Sequence, residues 1–212
     1  MNQATTATAK PSPLRELMLM IMVWVLGWSI VPGVGVTPIG KWVFPDDAVK
    51  QIIVGAIASC LLLVPLILTQ RSINRELVKR HWSAYLFVLV LLALAVLPLR
   101  TGGLDGVIFD LPAWAYVLMA VVNVFMQQYL TFGLLQSYIQ RVVASPVWTV
   151  IATGLTFYAV HAVMLPHKFA PTHWLAALAI LAMGVACAAL RQKTGTIYTT
   201  LALHWTFYFV VI

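Results

Sequence analysis

The stretch AWAYVLMAVVNVFMQQYLTFGLLQSYI, from Ala113 to Ile139, carries two adjacent amides, Gln127 and Gln128, within a long apolar run. It exceeds the roughly 20 residues that an α-helix needs to cross the hydrocarbon of a bilayer. Because hydrocarbon offers no water to satisfy an amide, polar groups at this depth usually face a bundle interior or a wet cavity. The stretch therefore predicts a membrane-spanning helix with a polar face turned away from lipid.

That polar face has a helical period. Asn123, Gln127 and Thr131 follow at intervals of four residues and share one side of the helix, and Gln128 borders them. Such a strip is typical of interhelical hydrogen bonding in membrane bundles. It is equally typical of a cavity wall that binds or positions a substrate, and the sequence leaves both interpretations open.

The composition extends the prediction to the whole chain. Its 212 residues are 62% hydrophobic and 9% charged, with a mean hydropathy of +0.94, whereas soluble proteins are about 25% charged. We expect an all-α, polytopic membrane bundle of about seven helices in a single domain, residues 14–212, preceded by a disordered cytoplasmic tail, residues 1–13. The predicted spans are residues 17–36, 51–69, 84–99, 113–139, 147–165, 174–190 and 196–212.

Basic residues predict the orientation, since cytoplasmic loops of membrane proteins are enriched in Lys and Arg. Most of the 13 basic residues lie in the N-terminal tail and alternate loops: Lys10, Arg15, Arg71, Arg75, Lys79, Arg80, Arg141, Arg191 and Lys193. The opposite loops hold Lys41, Lys50, Arg100 and Lys168. The N-terminus is therefore expected in the cytoplasm. The net charge of +7 is spread over short loops, so we expect no nucleic-acid partner.

Two later apolar segments carry one deep histidine each. His161 follows Phe157 by one helical turn, and His204 precedes Tyr208 by one turn. All acidic residues lie outside the predicted spans, namely Glu16, Asp46, Asp47, Glu76, Asp105 and Asp110. The two imidazoles are therefore the strongest proton acceptors that we expect at membrane depth.

A metal site is not expected. His161, His167 and His173 are spaced by six residues, which does not place them on one helical face, and prolines interrupt the segment. Cys60 and Cys187 lie inside predicted spans and are interpreted as small buried residues. Two histidines without a carboxylate make a poor zinc site, so we predict neither a metal nor another cofactor.

Three short stretches, QQYLTFG (127–133), FYAVH (157–161) and HWTFY (204–208), resemble the three motifs of the CPBP family. That family includes CAAX prenyl endopeptidases and bacterial Abi proteins linked to bacteriocin processing and immunity. The resemblance covers about residues 110–212 and implies a CPBP-like core in the C-terminal half. It also implies a bacterial plasma-membrane protein, while the first three spans look generic.

The resemblance implies roles for individual residues. Gln127 and Gln128 stand where active family members have two glutamates, of which the first helps to activate a water. Phe132 stands in place of an arginine. A glutamine amide can donate and accept hydrogen bonds but cannot act as a base. Losing a general base costs about 10²–10⁴-fold in rate, so the site looks diverged.

The later motifs retain more of the pattern. The resemblance implies that His161 binds the water, that His204 contacts the oxyanion, and that Tyr208 replaces an asparagine; a tyrosine hydroxyl can still donate to an oxyanion. We therefore take Gln127, Gln128, His161, His204 and Tyr208 as candidate catalytic residues. The candidate substrate-binding residues are Asn123, Thr131, Phe132 and Phe157.

Three functions remain open. The first is a non-proteolytic protein that binds or processes a lipidated or hydrophobic peptide, or binds a partner membrane protein. The second is a membrane acyltransferase of the lipoprotein N-acylation type, with His161 as the base and membrane lipid as a partner. The third is an intramembrane endopeptidase of the CAAX type that takes its base from a loop aspartate.

Overall fold

The structure is a computed structural model, and it describes residues 12–30, 38–95, 102–108 and 110–211. The first half contains α1 (Pro13–Ile30), α2 (Pro38–Val43), α3 (Ala48–Thr69), α4 (Arg71–Leu77) and α5 (Trp82–Ala95). A small antiparallel pair follows, β1 (Val107–Ile108) and β2 (Leu111–Pro112), with Ile108 opposite Leu111. The second half contains α6 (Ala113–Gln128), a π-helical segment (Tyr129–Leu135), α7 (Gln136–Val142), α8 (Pro146–Met164), α9 (Pro166–Phe169), α10 (Trp174–Thr194), α11 (Tyr198–Thr206) and a second π-helical segment (Phe207–Val211).

The prediction of a helical, integral membrane protein is confirmed, but the count of seven spans is not. Among the described residues, 5 helices are long and apolar enough to cross a membrane, or 6 if α4 and α5, bent by 75°, form one broken span. The helix α5 has only 14 residues, which is about 21 Å and less than the hydrocarbon thickness of about 30 Å. The predicted 196–212 span begins at Tyr198 and is equally short.

The predicted tail, residues 1–13, lies largely outside the described residues. At the end of this predicted tail, Pro13 is the first residue of α1. Pro is well tolerated in the first turn of a helix because its missing N–H has no intrahelical partner there.

The continuous helix from Ala113 to Val142 is the centre of the bundle. Its span is 72% buried, whereas the other candidate spans are 22–33% buried. The π-helical segment Tyr129–Leu135 interrupts it directly after the two glutamines. A π-helical turn adds a residue to the helix and changes which side chains share a face. The polar face predicted from a regular helix therefore does not continue unchanged past Gln128.

Two glycines allow α8 and α10 to approach closely. A Cβ at Gly154 would lie 3.0 Å from the main-chain N and Cα of Val185, and one at Gly184 would lie 3.0 Å from the Gly154 carbonyl oxygen. Close approach through small residues is a common way to pack helices in membranes. The contact seats Phe157 directly against Gly184.

Contacts between helix ends bring the basic segments together at one end of the bundle. Arg141 forms an ion pair with Glu16 at 2.7 Å, and the Tyr138 hydroxyl donates to Gln70 Oε1 at 2.9 Å. Arg191 Nη2 donates to Ser137 Oγ at 3.3 Å. The start of α1, the α3–α4 junction, α7 and the end of α10 thus share one end, here termed the basic end.

Candidate functional site

Gln128 and His204 form the central hydrogen bond of the site. Nε2 of Gln128 lies 2.6 Å from Nδ1 of His204, and both residues are buried. The amide N–H donates in this orientation, so Nδ1 is the acceptor and the proton of the neutral imidazole is on Nε2. His204 therefore presents an N–H donor on the far side of its ring.

His161 has the opposite arrangement. Its Nδ1 lies 2.8 Å from the carbonyl oxygen of Phe157, one turn earlier in α8. A carbonyl can only accept, so Nδ1 carries the proton and Nε2 is left with a lone pair. The site thus holds one imidazole that accepts through Nε2 and one that donates through it.

The aromatic ring of Phe157 joins the two histidines. Its centroid is 4.4 Å from that of His161 and 5.9 Å from that of His204. Phe132, from the π-helical segment, packs on the same ring at 5.1 Å. The three motif stretches therefore meet around one fully buried phenylalanine. Because Phe132 and Phe157 fill the interior, they act first as packing residues.

The two glutamines leave hydrogen-bonding capacity unused. Oε1 of Gln127 and Oε1 of Gln128 are buried and have no hydrogen-bond partner among the described residues. An unsatisfied buried polar atom costs about 1–3 kcal/mol. Asn123 is buried one turn before Gln127 on the same helix. The centre of the bundle therefore contains acceptors that a bound polar group would satisfy.

Tyr208 lies against His204. Their ring centroids are 5.4 Å apart, and Tyr208 is buried in the second π-helical segment. Its carbonyl oxygen accepts a hydrogen bond from the Tyr116 hydroxyl at 2.8 Å, which ties this segment to α6. Tyr208 is thus positioned by its main chain, with its ring beside the imidazole.

The first helix contributes to the site, which the sequence interpretation missed. Trp24 and Trp28 donate their indole N–H groups to Thr131 Oγ1 at 2.9 and 3.3 Å. The Trp28 ring also packs edge-on against His161, at a centroid distance of 5.0 Å. The view of the first span as generic was therefore wrong. Thr131, one of the candidate substrate-binding residues, joins α1 to the motif helix through these two hydrogen bonds.

Aromatic side chains enclose His161. Trp28, Phe157 and Phe169 all contact its ring, and the residue is only 5% exposed. Phe132 occupies the position where the resemblance places an arginine. Without acidic partners a buried guanidinium would be costly there, and a phenylalanine avoids that cost.

No carboxylate reaches this centre among the described residues. Asp105 and Asp110 precede α6, and Gln127 lies fourteen residues beyond Ala113, which is about 21 Å along the helix. Glu16, Asp47 and Glu76 form ion pairs at helix ends. A loop aspartate therefore lies too far away to act as the base that a protease interpretation required.

The other three histidines are separate from this centre, and His81 is hydrogen-bonded to Ser83 at the start of α5. His167 and His173 are exposed in the connection between α8 and α10. In the described part of the chain, no three His, Cys, Asp or Glu side chains form a group that could hold a metal ion. The centre can therefore donate and accept hydrogen bonds, and Nε2 of His161 is one of its acceptors.

Comparison with known proteins bears on the origin of this arrangement. No curated protein and no solved structure shows significant similarity to the chain. A family model does match, with the description "Type II CAAX prenyl endopeptidase Rce1-like", over residues 108–210. This range contains all three motif stretches and both buried histidines. Residues 108–210 of the chain are therefore similar to this family, which confirms the resemblance that the three motifs indicated.

Proposed function

We propose that this integral membrane protein is a non-proteolytic, Rce1-like protein that binds a lipidated or hydrophobic peptide in the polar centre of its bundle. The observation that carries the proposal is the hydrogen bond between Gln128 and His204. In this hydrogen bond His204 is paired with an amide at a position where active family members have an acid. None of the described carboxylates lies near His204. Among the described residues, the centre therefore lacks the carboxylate that would activate water.

The unused acceptors support binding. Oε1 of Gln127 and Oε1 of Gln128 would accept hydrogen bonds from the N–H groups of a peptide main chain. In a site without bulk water, satisfying two buried acceptors contributes to affinity because each is costly when left alone. The donor Nε2–H of His204 complements them by binding a peptide carbonyl.

Binding can be tested on the purified chain in vesicles of phosphatidylethanolamine and phosphatidylglycerol. The probe is a short fluorescent peptide that carries a hexadecyl thioether chain. We expect saturable binding without cleavage fragments. Replacing both amides, Gln127→Leu with Gln128→Leu, should weaken binding about tenfold, or about 1.4 kcal/mol. Absence of binding to the parent chain would overturn the proposal.

A matched control uses a third buried glutamine. Gln136 lies further along the same helix, where its amide donates to the Ala188 carbonyl oxygen at 3.0 Å. Gln136→Leu removes a buried amide of the same size but leaves the polar centre intact, so it should bind like the parent. If Gln136→Leu loses as much affinity as the double variant, the loss reflects general disruption of the bundle.

A second candidate function is acyl transfer from a membrane lipid to an amine. The observation that favours it is the free Nε2 lone pair of His161, since its Nδ1–H is committed to Phe157. His161 would take the proton of the attacking amine, and the alcohol leaving the donor ester would recover it. The Nε2–H of His204 and the hydroxyl of Tyr208 would stabilise the oxyanion.

The two candidates differ in what they require of the histidines. Acyl transfer predicts that incubation of the lipopeptide with donor phospholipid increases the peptide's mass by one acyl chain. His161→Ala would abolish that gain while peptide binding remains. An unchanged peptide mass with the parent chain would exclude this activity. If the chain instead binds a partner membrane protein, that protein should co-purify with both the parent chain and the His161→Ala variant.

A standard CAAX-type endopeptidase is the third candidate, and it fits the family. It is tested by restoring the missing groups together, with Gln127→Glu, Gln128→Glu and Phe132→Arg in one chain. If the residual site is a latent protease, this variant should cleave the lipopeptide while the parent does not. No cleavage by a folded triple variant would count against it. We also propose the bacterial plasma membrane as the location, with the N-terminus in the cytoplasm.

A further inference from the structure

Arg191 is a buried cation that forms no ion pair with any of the described residues. It lies in the last turn of α10 and is 7% exposed. Its Nη2 donates to Ser137 Oγ at 3.3 Å, whereas its Nε is buried and has no hydrogen-bond partner in the described part of the chain. A buried guanidinium with an unused donor is costly, because it has lost water without gaining an anion. The unused donor therefore indicates a place for an anionic ligand.

Lys79 brings a second cation to the same end of α10. Gly195 ends this helix in the left-handed conformation and donates its N–H to the Arg191 carbonyl oxygen at 2.9 Å. Nζ of Lys79 lies 3.3 Å from the point that a Cβ of Gly195 would occupy. The ammonium group therefore lies against the helical turn that carries Arg191.

A single carboxylate is shared by these two cations. Glu76 Oε2 lies 3.0 Å from Lys79 Nζ, and Glu76 is also the acid that interacts electrostatically with Arg191. Two positive charges and one negative charge leave this cluster with a net charge of +1. The Glu76 side chain is 66% exposed, so water screens its attraction for the guanidinium. One further negative charge would balance the cluster.

The depth of Arg191 in the membrane indicates the source of that charge. Trp174 begins α10 at the end opposite the basic end and is 64% exposed, which is typical of a tryptophan at the headgroup layer. Arg191 follows seventeen residues later, about 26 Å along the helix. The hydrocarbon core is about 30 Å thick. Arg191 therefore lies near the second headgroup layer, at the level of the phospholipid phosphates.

We propose that Arg191 and Lys79 bind the phosphate of an anionic phospholipid in the leaflet at the basic end. The Nε–H of Arg191 and the ammonium of Lys79 donate to the phosphate oxygens, and such charge-assisted hydrogen bonds are about twice as strong as neutral ones. A headgroup with one negative charge balances the cluster, whereas a zwitterionic headgroup leaves it unbalanced. The site therefore selects phosphatidylglycerol over phosphatidylcholine, and it does not depend on the function of the polar centre.

Thermal unfolding of the full-length protein in neutral detergent tests the site, because a ligand of the folded state raises the midpoint. The probes are phosphatidylglycerol, phosphatidylcholine with the same acyl chains, and inorganic phosphate. We expect phosphatidylglycerol to raise the midpoint by about 5 °C and the other two probes to raise it far less. Equal shifts with the two lipids would overturn the proposal. An equal shift with inorganic phosphate would overturn the assignment to a lipid.

Two variants and a matched control connect the shift to the cluster. Arg191→Gln should lose the phosphatidylglycerol shift, whereas Lys193→Gln, which removes an exposed charge from the same end of α10, should keep it. Because loss of a buried arginine can also weaken the fold, Glu76→Gln provides a second test with Arg191 in place. It removes the competing carboxylate and should lower the lipid concentration at half of the shift about threefold. Equal losses in Arg191→Gln and Lys193→Gln, or no gain in Glu76→Gln, would contradict the site.

Discussion

Nδ1 of His204 lies 2.6 Å from Nε2 of Gln128, and this contact decides which nitrogen of His204 carries the proton. An amide N–H donates to Nδ1, so Nε2 keeps its hydrogen. A carboxylate at the same position would accept from Nδ1–H and leave a lone pair on Nε2. The amide therefore sets His204 as a donor, whereas an acid would set it as a base.

The variant Gln128→Glu should reverse the tautomer of His204. We expect ¹⁵N NMR of histidine-labelled protein in lipid nanodiscs to show the signal of the Nδ1–H form in place of the Nε2–H form for one buried histidine. His161 should keep its Nδ1–H form because its partner is the Phe157 carbonyl. Gln127→Glu is the control, and a tautomer change of His204 there would contradict the assignment to Gln128.

Thr131→Val should destabilise the bundle through α1. The change removes the oxygen that accepts from both Trp24 and Trp28, and two buried indole N–H groups lose this partner. We expect the free energy of unfolding to fall by about 1–3 kcal/mol, measured as a lower thermal midpoint in detergent. Thr131→Ser keeps the oxygen and should stay close to the parent; equal losses in both variants would disprove the hydrogen-bond explanation.

Gly154→Ala should cost more than Gly133→Ala. A Cβ at Gly154 meets main-chain atoms of Val185 at 3.0 Å, which cannot move without displacing α10. A Cβ at Gly133 meets only side-chain atoms, the nearest being Leu77 Cδ1 at 3.1 Å. Overpacking typically costs about 1–3 kcal/mol, so the thermal midpoint of Gly154→Ala should fall clearly below that of Gly133→Ala. The reverse order would contradict the close helix crossing.

The orientation can be measured with single cysteines at opposite ends of the bundle. Arg75 lies in α4 at the basic end, and Lys41 lies in α2, which precedes α3 at the other end. In intact cells, Lys41→Cys should react with a membrane-impermeant maleimide and Arg75→Cys should react only after lysis. Labelling of Arg75→Cys alone in intact cells would reverse the proposed sidedness.

The sequence was sufficient for the class of fold and for the meeting of the motif helices. Continuous apolar runs predict membrane helices directly, because the bilayer imposes both their length and their composition. The two glutamine amides and the two histidines within apolar segments predicted that three separate helices each have a face turned to the interior. In the structure, contacts of Phe157 and Gln128 bring those three helices together. Polar residues were informative because a polar side chain in a membrane helix is rarely exposed to lipid and so usually faces the protein interior or a water-filled cavity.

The contribution of α1 could not be obtained in the same way. From Leu17 to Trp28 the helix is apolar on all sides, so its sequence does not distinguish a lipid-facing tryptophan from one that faces the interior. The pair Trp24 and Trp28, one turn apart, was the available signal, but tryptophan is also common at membrane interfaces. The number of spans was overestimated for a similar reason. Apolar composition predicts that a segment such as α5 is a membrane helix, but it does not reveal that the chain bends between α4 and α5.

Because Tyr129–Leu135 is π-helical, the number of residues in the first motif determines which way the rest of the helix faces. For this orientation, the number of residues matters more than the identity of most side chains in the motif. Removing one residue there would return the helix to a regular period and rotate everything beyond it by about 100°. Tyr138 would then turn away from Gln70, and Gln136 away from Ala188. A substitution in this segment removes only the contacts of one side chain, whereas a single-residue deletion would misalign the half of the central helix nearer the basic end against its neighbours.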